Sequence, residues 1–258
     1  MPRTTNKEMI GALQAQVEQL VARIQTIEKN SSSNFEHMKE LLWAEKFNNT
    51  IHASKWFLNQ QISPGGWAVG YPFLYVLYRI LDEMRPKSIL ELGLGQSTKL
   101  ISQYAASGKK IKHTVVEHDE AWIEFFRKGF KLAKSTELCH LPLNYHGVWR
   151  EDTEVVAYEG FTERFSERKF DLICIDGPFG YLAKIYARTD VLTIMPNCLA
   201  DSFVILLDDT ERAGEKNTIQ AMQDILEENS IKHKRGFYRG IKEMMVLTSE
   251  DNRFFCSM

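Results

Sequence analysis

Acidic residues stand at the ends of apolar runs in this chain, one of them beside a pair of glycines, and that pattern implies chemistry before any fold is assigned. The run ILEL, residues 89–92, contains Glu91 and breaks into Gly93-Leu94-Gly95-Gln96-Ser97. HTVV, 113–116, ends in Glu117 and His118. FDLICI, 170–175, delivers Asp176 and then Gly177-Pro178, while FVILL, 203–207, delivers Asp208 and Asp209. Glycine at such a break permits a tight turn and lets a ligand approach backbone N–H groups at a helix start. An acid at the end of the next strand has the spacing that holds a ribose diol. Three aspartates at adjacent strand ends repel one another unless they share protons, pair with Arg or Lys, or hold a hard cation through oxygen. Asp208 or Asp209 would equally cap a helix or pair with Arg212. His146, in NYHGVW, is a further proton carrier if its loop reaches the same edge.

These residues need a scaffold that brings strand ends together. From Tyr71 onward the pattern alternates helix and strand. Strands are expected at 88–92, 113–117, 137–141, 170–175 and 203–207, and helices at 73–84, from 97, at 120–134, 181–195 and 213–229. Short apolar strands alternating with helices imply a parallel sheet covered on both faces. IKHKRGFYRGIKEMMVLTSE places turn glycines between two strand-like runs and closes the sheet as an antiparallel hairpin. Its basic residues, Lys232 to Arg235 with Arg239 and Lys242, have the ordinary character of a solvated hairpin, though they would also attract an anionic substrate. The fold class is therefore α/β, a doubly wound, mostly parallel sheet preceded by N-terminal helices.

Ile10, Leu13, Val17, Leu20, Ile24 and Ile27 alternate three and four residues apart, the seam of a short coiled coil or of an amphipathic helix packed on the protein's own body. Asn30-Ser31-Ser32-Ser33-Asn34 has the composition of a break that caps a second helix, 35–48. The expected units are 1–34, the coiled-coil helix; 35–70, a helical linker and lid; and 71–258, the sheet domain. Within the linker, Gly65-Gly66-Trp67-Ala68-Val69-Gly70-Tyr71 would fold over a ligand, with Trp67 and Tyr71 offering flat faces to a sugar ring or simply packing the core.

The 258 residues carry a net charge of −2, with 44% hydrophobic and 26% charged residues, so nothing in the balance draws the chain to nucleic acid or anionic membrane. The four cysteines lack metal-ligand spacing and are expected as reduced thiols. No signal-peptide core or membrane span is evident, so a cytoplasmic location is expected.

Glu91 selects among ligands for the glycine turn. A carboxylate there would repel the pyrophosphate of a dinucleotide and attract a cationic amino-acid end, and Thr98 replaces the third glycine of the dinucleotide fingerprint. S-adenosylmethionine (SAM) meets these conditions, with an NAD-dependent oxidoreductase as the competing reading. ILELGLGQS resembles motif I of Rossmann-like, class I SAM-dependent methyltransferases, and VVEHD resembles their second motif. The resemblance covers about 71–247. It implies a seven-stranded sheet with SAM held by Glu91, Gly93, Gly95 and Glu117, with Ser97, His118 and Asp176 alongside.

The later strand ends are similar to two sugar O-methyltransferase branches. The Asp176, Asp208 and Asp209 set resembles the macrocin-type enzymes, which implies magnesium or manganese on those three residues. DLICIDGPFGY and DDTERAGE resemble the glucuronoxylan 4-O-methyltransferases. The branches differ over the metal. Together they imply methyl transfer to a hydroxyl of a small-molecule sugar or glycan precursor, with Asp176, and in second place His146, as catalytic residues. A homo-oligomer through the N-terminal helices is expected. An N- or small-molecule methyltransferase and a non-catalytic coiled-coil adaptor stand as alternatives.

Overall fold

The structure, a computed structural model, describes residues 6–150, 153–182 and 185–258. A long helix, α1 (Asn6–Ile51), leads to α2 (Tyr71–Arg79), which passes through a π-helical turn, Ile80–Met84. The elements β1 (Ser88–Leu92), α3 (Gln96–Ser107), β2 (Lys112–Glu117), α4 (Glu120–Gly129) and β3 (Thr136–His140) follow. A separate hairpin, β4 (Leu143–Trp149) with β5 (Thr153–Tyr158), precedes α5 (Phe161–Phe165) and β6 (Phe170–Ile175). The chain finishes with β7 (Leu199–Leu207), α6 (Ala213–Glu228), β8 (His233–Arg239) and β9 (Glu243–Ser249).

Seven strands pair in the order β3-β2-β1-β6-β7-β9-β8, with β9 antiparallel to both its neighbours and the first five strands parallel. The order reverses between β1 and β6, so a crevice opens at the carboxyl ends of those two strands. Both faces are buried, as the strands' near-continuous apolar runs require. Leu90, Ile173 and Ile205 pack toward Met222 and Leu226 of α6. Their neighbours Ile89, Leu172 and Val204 face Phe73 and Leu77 of α2 and Leu100 of α3. The two-residue period of the strands produces this division.

The parallel core and closing hairpin agree with the sequence reading; the exceptions lie outside the sheet. No break occurs at Asn30–Asn34: α1 runs through it as one 46-residue helix. Serine and asparagine cost only about 0.5 kcal/mol each in a helix interior, and the helix is anchored beyond them. Glu40 accepts the N–H groups of Tyr71 (2.7 Å) and Ile241 (2.9 Å), Trp43 donates to the Arg239 carbonyl, and Phe47 is buried. The helix expected at 181–195 does not form. Short 3₁₀ turns, Gly180–Leu182 and Asp190–Thr193, stand at its ends, and residues 183 and 184 lie outside the described residues, as do 1–5 of the expected first unit. The hairpin of β4 and β5 occupies what the sequence presented as a loop after β3. Among the described residues, no helix is long and apolar enough to cross a membrane.

Candidate active site

The crevice at the strand reversal is a cleft of about 520 Å³, lined by the Gly93–Gln96 turn, Glu117 and His118 on one side and by Asp176, Arg188, Asp209 and Lys242 on the other. Trp67 and Tyr181 stand at its rim. The two glycines of the turn differ in what the backbone demands of them. Gly93 has φ +97°, and a Cβ there would meet the Asp176 backbone at 3.1 Å. At Gly95 a Cβ would meet nothing within 4 Å, so a side chain would project into open space.

Three backbone donors of this turn, those of Gly93, Leu94 and Gly95, are already used. Gly93 N–H donates to the Val116 carbonyl (2.9 Å), Leu94 N–H to Glu117 Oε2 (3.0 Å) and Gly95 N–H to Thr98 Oγ1 (2.9 Å). A pyrophosphate-binding turn needs such groups free to donate, and the threonine in place of the third glycine consumes one of them. Glu117 Oε1 also accepts from the N–H groups of His118 (2.7 Å) and Asp119 (2.9 Å). Burial would raise the Glu117 pKa, but the His118 ring and these amides outweigh it and hold the carboxylate below its ordinary value. One acceptor position remains at Oε2. Beside it, His118 Nδ1 lies 2.9 Å from Glu117 Oε1, and the buried Tyr158 hydroxyl has no hydrogen-bond partner among the described residues.

The opposite wall is an ion cluster. Arg188, 4% exposed, places Nη2 2.7 Å from Asp209 Oδ2 and 3.2 Å from Asp176 Oδ1, and Nη1 donates to the Asp208 carbonyl. Lys242 lies 3.2 Å from both Asp208 Oδ2 and Asp209 Oδ1 and donates to the Ala68 carbonyl. Arg212 reaches Asp209 at 3.0 Å and Glu215 at 3.7 Å. Glu215 is fully buried in the first turn of α6, and a Cβ on Gly180 would strike it. Both members of the central pair have left-handed backbone, Arg188 at φ 56° and Asp209 at φ 62°. That conformation is costly for a residue such as arginine and persists where surrounding structure holds it, commonly at functional sites.

Charge in this cluster is unevenly held. Burial pushes Asp176 up to about 8, with Asp208 adding and Arg188 and Lys242 opposing. Asp208 rises to about 6, again through burial, against the pull of Lys242. Burial also works against Asp209, yet Arg188, Lys242 and Arg212 together keep it below the usual aspartate value. Asp176 is the member with access to the cleft: its side chain is 21% exposed, against 1% for Asp208 and 3% for Asp209.

The expected residues separate into those that reach the cleft and those that do not. Gly93, Gly95, Glu117, His118 and Asp176 line the cleft. Glu91 does not: it is buried beneath β1, 2.9 Å from His113 Nε2, and His113 continues to Thr136 and Ser102 through their hydroxyls. Strand alternation decides this, since a residue two positions before the turn points into a face of the sheet. Ser97 is buried in the first turn of α3, and Gln96 takes the cleft position, its Oε1 accepting the Ser63 N–H and tethering the rim loop. His146 is away from the cleft, 86% exposed on β4 and 3.6 Å from Glu154. Tyr71 packs against Phe47 and leaves Trp67 alone at the rim from that loop.

The aspartates expected to ligate a metal do converge, with one oxygen of each within 4.8 Å of the others. Their donor set nevertheless fits a divalent ion poorly. An ammonium and two guanidinium groups already share these oxygens, and a dication would enter beside them against like charge. Arg188, Glu215 and Tyr158 were not singled out from sequence, and Lys242 was read as a solvated hairpin cation. The available signal was the uncompensated acidity of three adjacent strand ends, which calls for cations from elsewhere in the chain.

No protein-family model matches the chain, and no curated protein matches it in sequence. Among solved structures, an O-methyltransferase from Bacillus cereus in complex with SAH is similar at a TM-score of 0.47 and 15% identity, over 81% of this chain and 91% of that one. The O-methyltransferase TomG from Streptomyces achromogenes, in complex with SAM, gives 0.46 and 13% over 80% and 90%. Spermidine synthase from Thermotoga maritima gives 0.43 and 13% over 67% and 57%. Likenesses this distant leave the function to be argued from the cleft itself.

Proposed function

We propose that the protein is a SAM-dependent O-methyltransferase acting on a hydroxyl of a sugar or glycan precursor. The observation that carries this reading is the pairing, across one cleft, of a turn whose Gly93, Leu94 and Gly95 amides are already engaged with an opposite carboxylate whose pKa is raised to about 8. The first feature disfavours a diphosphate at the turn and suits a ligand that brings hydroxyl and amino groups. Glu117 Oε2 and the Tyr158 hydroxyl are the groups that would hold the nucleoside end, with the His118 ring alongside, and the space at Gly95 would admit its backbone-facing edge. When bound, SAM supplies an electrophilic methyl on a sulfonium.

The remaining work belongs to the acceptor side. Methyl transfer to an alcohol requires removal of the hydroxyl proton, and Asp176 is placed to accept it. A base whose pKa lies near the working pH is the efficient choice, worth about 10²–10⁴-fold. Arg188, 3.2 Å from Asp176 Oδ1, holds that carboxylate in position. Trp67, 86% exposed, and Tyr181 approach edge-on with ring centroids 6.2 Å apart, an apolar rim suited to the C–H face of a pyranose and to excluding water around it. This rim and the resemblance of the strand ends to sugar O-methyltransferases support a carbohydrate acceptor. The Asp176–Arg188–Lys242 arrangement supports proton transfer without a metal.

Calorimetry tests the first half: SAM binds and NAD does not, and Glu117→Ala weakens SAM binding at least about tenfold, the loss of one or two charge-assisted hydrogen bonds. Methyl uptake from labelled SAM into a panel of nucleotide sugars and acidic glycans tests the second. Binding of NAD in place of SAM ends the reading.

A further inference from the structure

Continuity of α1 through Asn30–Asn34 extends the apolar seam beyond what its first half displays. Residues 10, 13, 17, 20, 24 and 27 continue in unbroken three-four spacing at Ser31, Asn34, Met38 and Leu41. The seam thus runs over 31 residue steps, about 47 Å of helix. Every apolar residue on it is at least 53% exposed. Glu36, Glu40, Trp43 and Phe47, which engage the body of the protein, lie on the opposite side of the same helix. The body therefore covers one face of α1 from Glu36 onward and leaves the seam bare, and residues 9–35 are exposed on every side.

We propose that this seam is one strand of a parallel, in-register, two-stranded coiled coil formed with a second copy of this chain. Isoleucine and valine at the first core position (Ile10, Val17, Ile24), with Leu13 and Leu20 at the second, is the pattern that favours two strands. Charge sets the direction. Arg23 and Glu28 are five residues apart on the two flanks of the seam, the separation at which flanking residues meet across a parallel pair, so that two Arg–Glu contacts form per dimer. An antiparallel pair would set like flank against like flank and lose them. Asn34, at the second core position, is a polar core residue that meets its own copy only when the pair is in register. An exposed apolar stripe of this length on a lone chain would otherwise be an aggregation liability.

Light scattering on the full chain at micromolar concentration should give twice the mass of one chain. Val17→Asp with Ile24→Asp should raise the dissociation constant at least about a hundredfold and yield monomer, since two charges then face each other in the core. SAM binding is the control for an intact body. Leu13→Cys should form an interchain disulfide on mild oxidation, because identical core positions are neighbours only in a parallel pair; Cys139, Cys174 and Cys198 are buried and Cys256 is partly covered, so background is low. A monomeric native chain, a mass of three or more chains, or a dimer indifferent to the two aspartates overturns the proposal. A Leu13→Cys dimer that fails to cross-link overturns the parallel arrangement.

Discussion

At the β2 edge of the cleft one carboxylate, Glu117, takes three backbone N–H groups; at the β7 edge four carboxylates take two arginines and a lysine. The two walls solve the same problem, a buried negative charge, with opposite means. Amides come with the turn itself, carry no proton to lose and leave Glu117 ionised and fixed. Arg212 is three residues from Asp209, but Arg188 and Lys242 come from other segments. The cations compensate unevenly, so that Asp209 is held below the usual aspartate value while burial pushes Asp176 up to about 8. On the proposed reading, one wall holds the cofactor and the other exchanges a proton.

The largest expected effect falls on that proton. Asp176→Asn should lower kcat/KM by about 10²–10⁴-fold while leaving SAM affinity within about threefold, because it removes proton acceptance and keeps the shape of the side chain. In the native protein, deprotonation creates the active form, so log kcat/KM should rise with pH and level off above about 8. A rate independent of pH between 6 and 9 would remove Asp176 from the base role.

Next comes the counter-charge. Arg188→Met leaves Asp176, Asp209 and Glu215 short of a partner in a buried site, at a cost of about 3–5 kcal/mol in urea unfolding. Because Arg188 also pulls the Asp176 pKa down, whatever activity survives should shift its pH profile to the alkaline side. An unchanged profile would separate the two residues and blur the contrast between the walls. The smallest effect should come from chelation: EDTA should leave the rate unchanged, since Lys242 and Arg188 already occupy the oxygens a metal would need. Loss restored by magnesium or manganese would return the aspartates to the ligand role.

The two walls differed as much in how far sequence reveals them. Glu117 and the Gly93–Gly95 turn are joined by a strand, a helix and a strand of ordinary length, and their contacts follow from that unit's geometry. Arg188 lies in a segment whose apolar spacing imitates a helix, and Lys242 in a hairpin turn that composition alone presents as solvent-facing. Neither is close in sequence to Asp176. The helix α1 makes the same point in reverse: its local signal for a break was genuine, but weaker than the continuity imposed by Glu40, Trp43 and Phe47 docked beyond it.

By itself the sequence determined the parallel strands and their closing hairpin, the glycine turn and the acids at the strand ends. All of these follow from periodicity and short-range connection, which the chain carries residue by residue. Only the tertiary structure decided that Glu91 turns inward to His113, that His146 stays in solvent, and that Arg188 and Lys242 stand among the aspartates. Burial sets those outcomes: a charge withdrawn from water takes whichever opposite charge the fold brings within reach, and that neighbour is a property of the packed molecule.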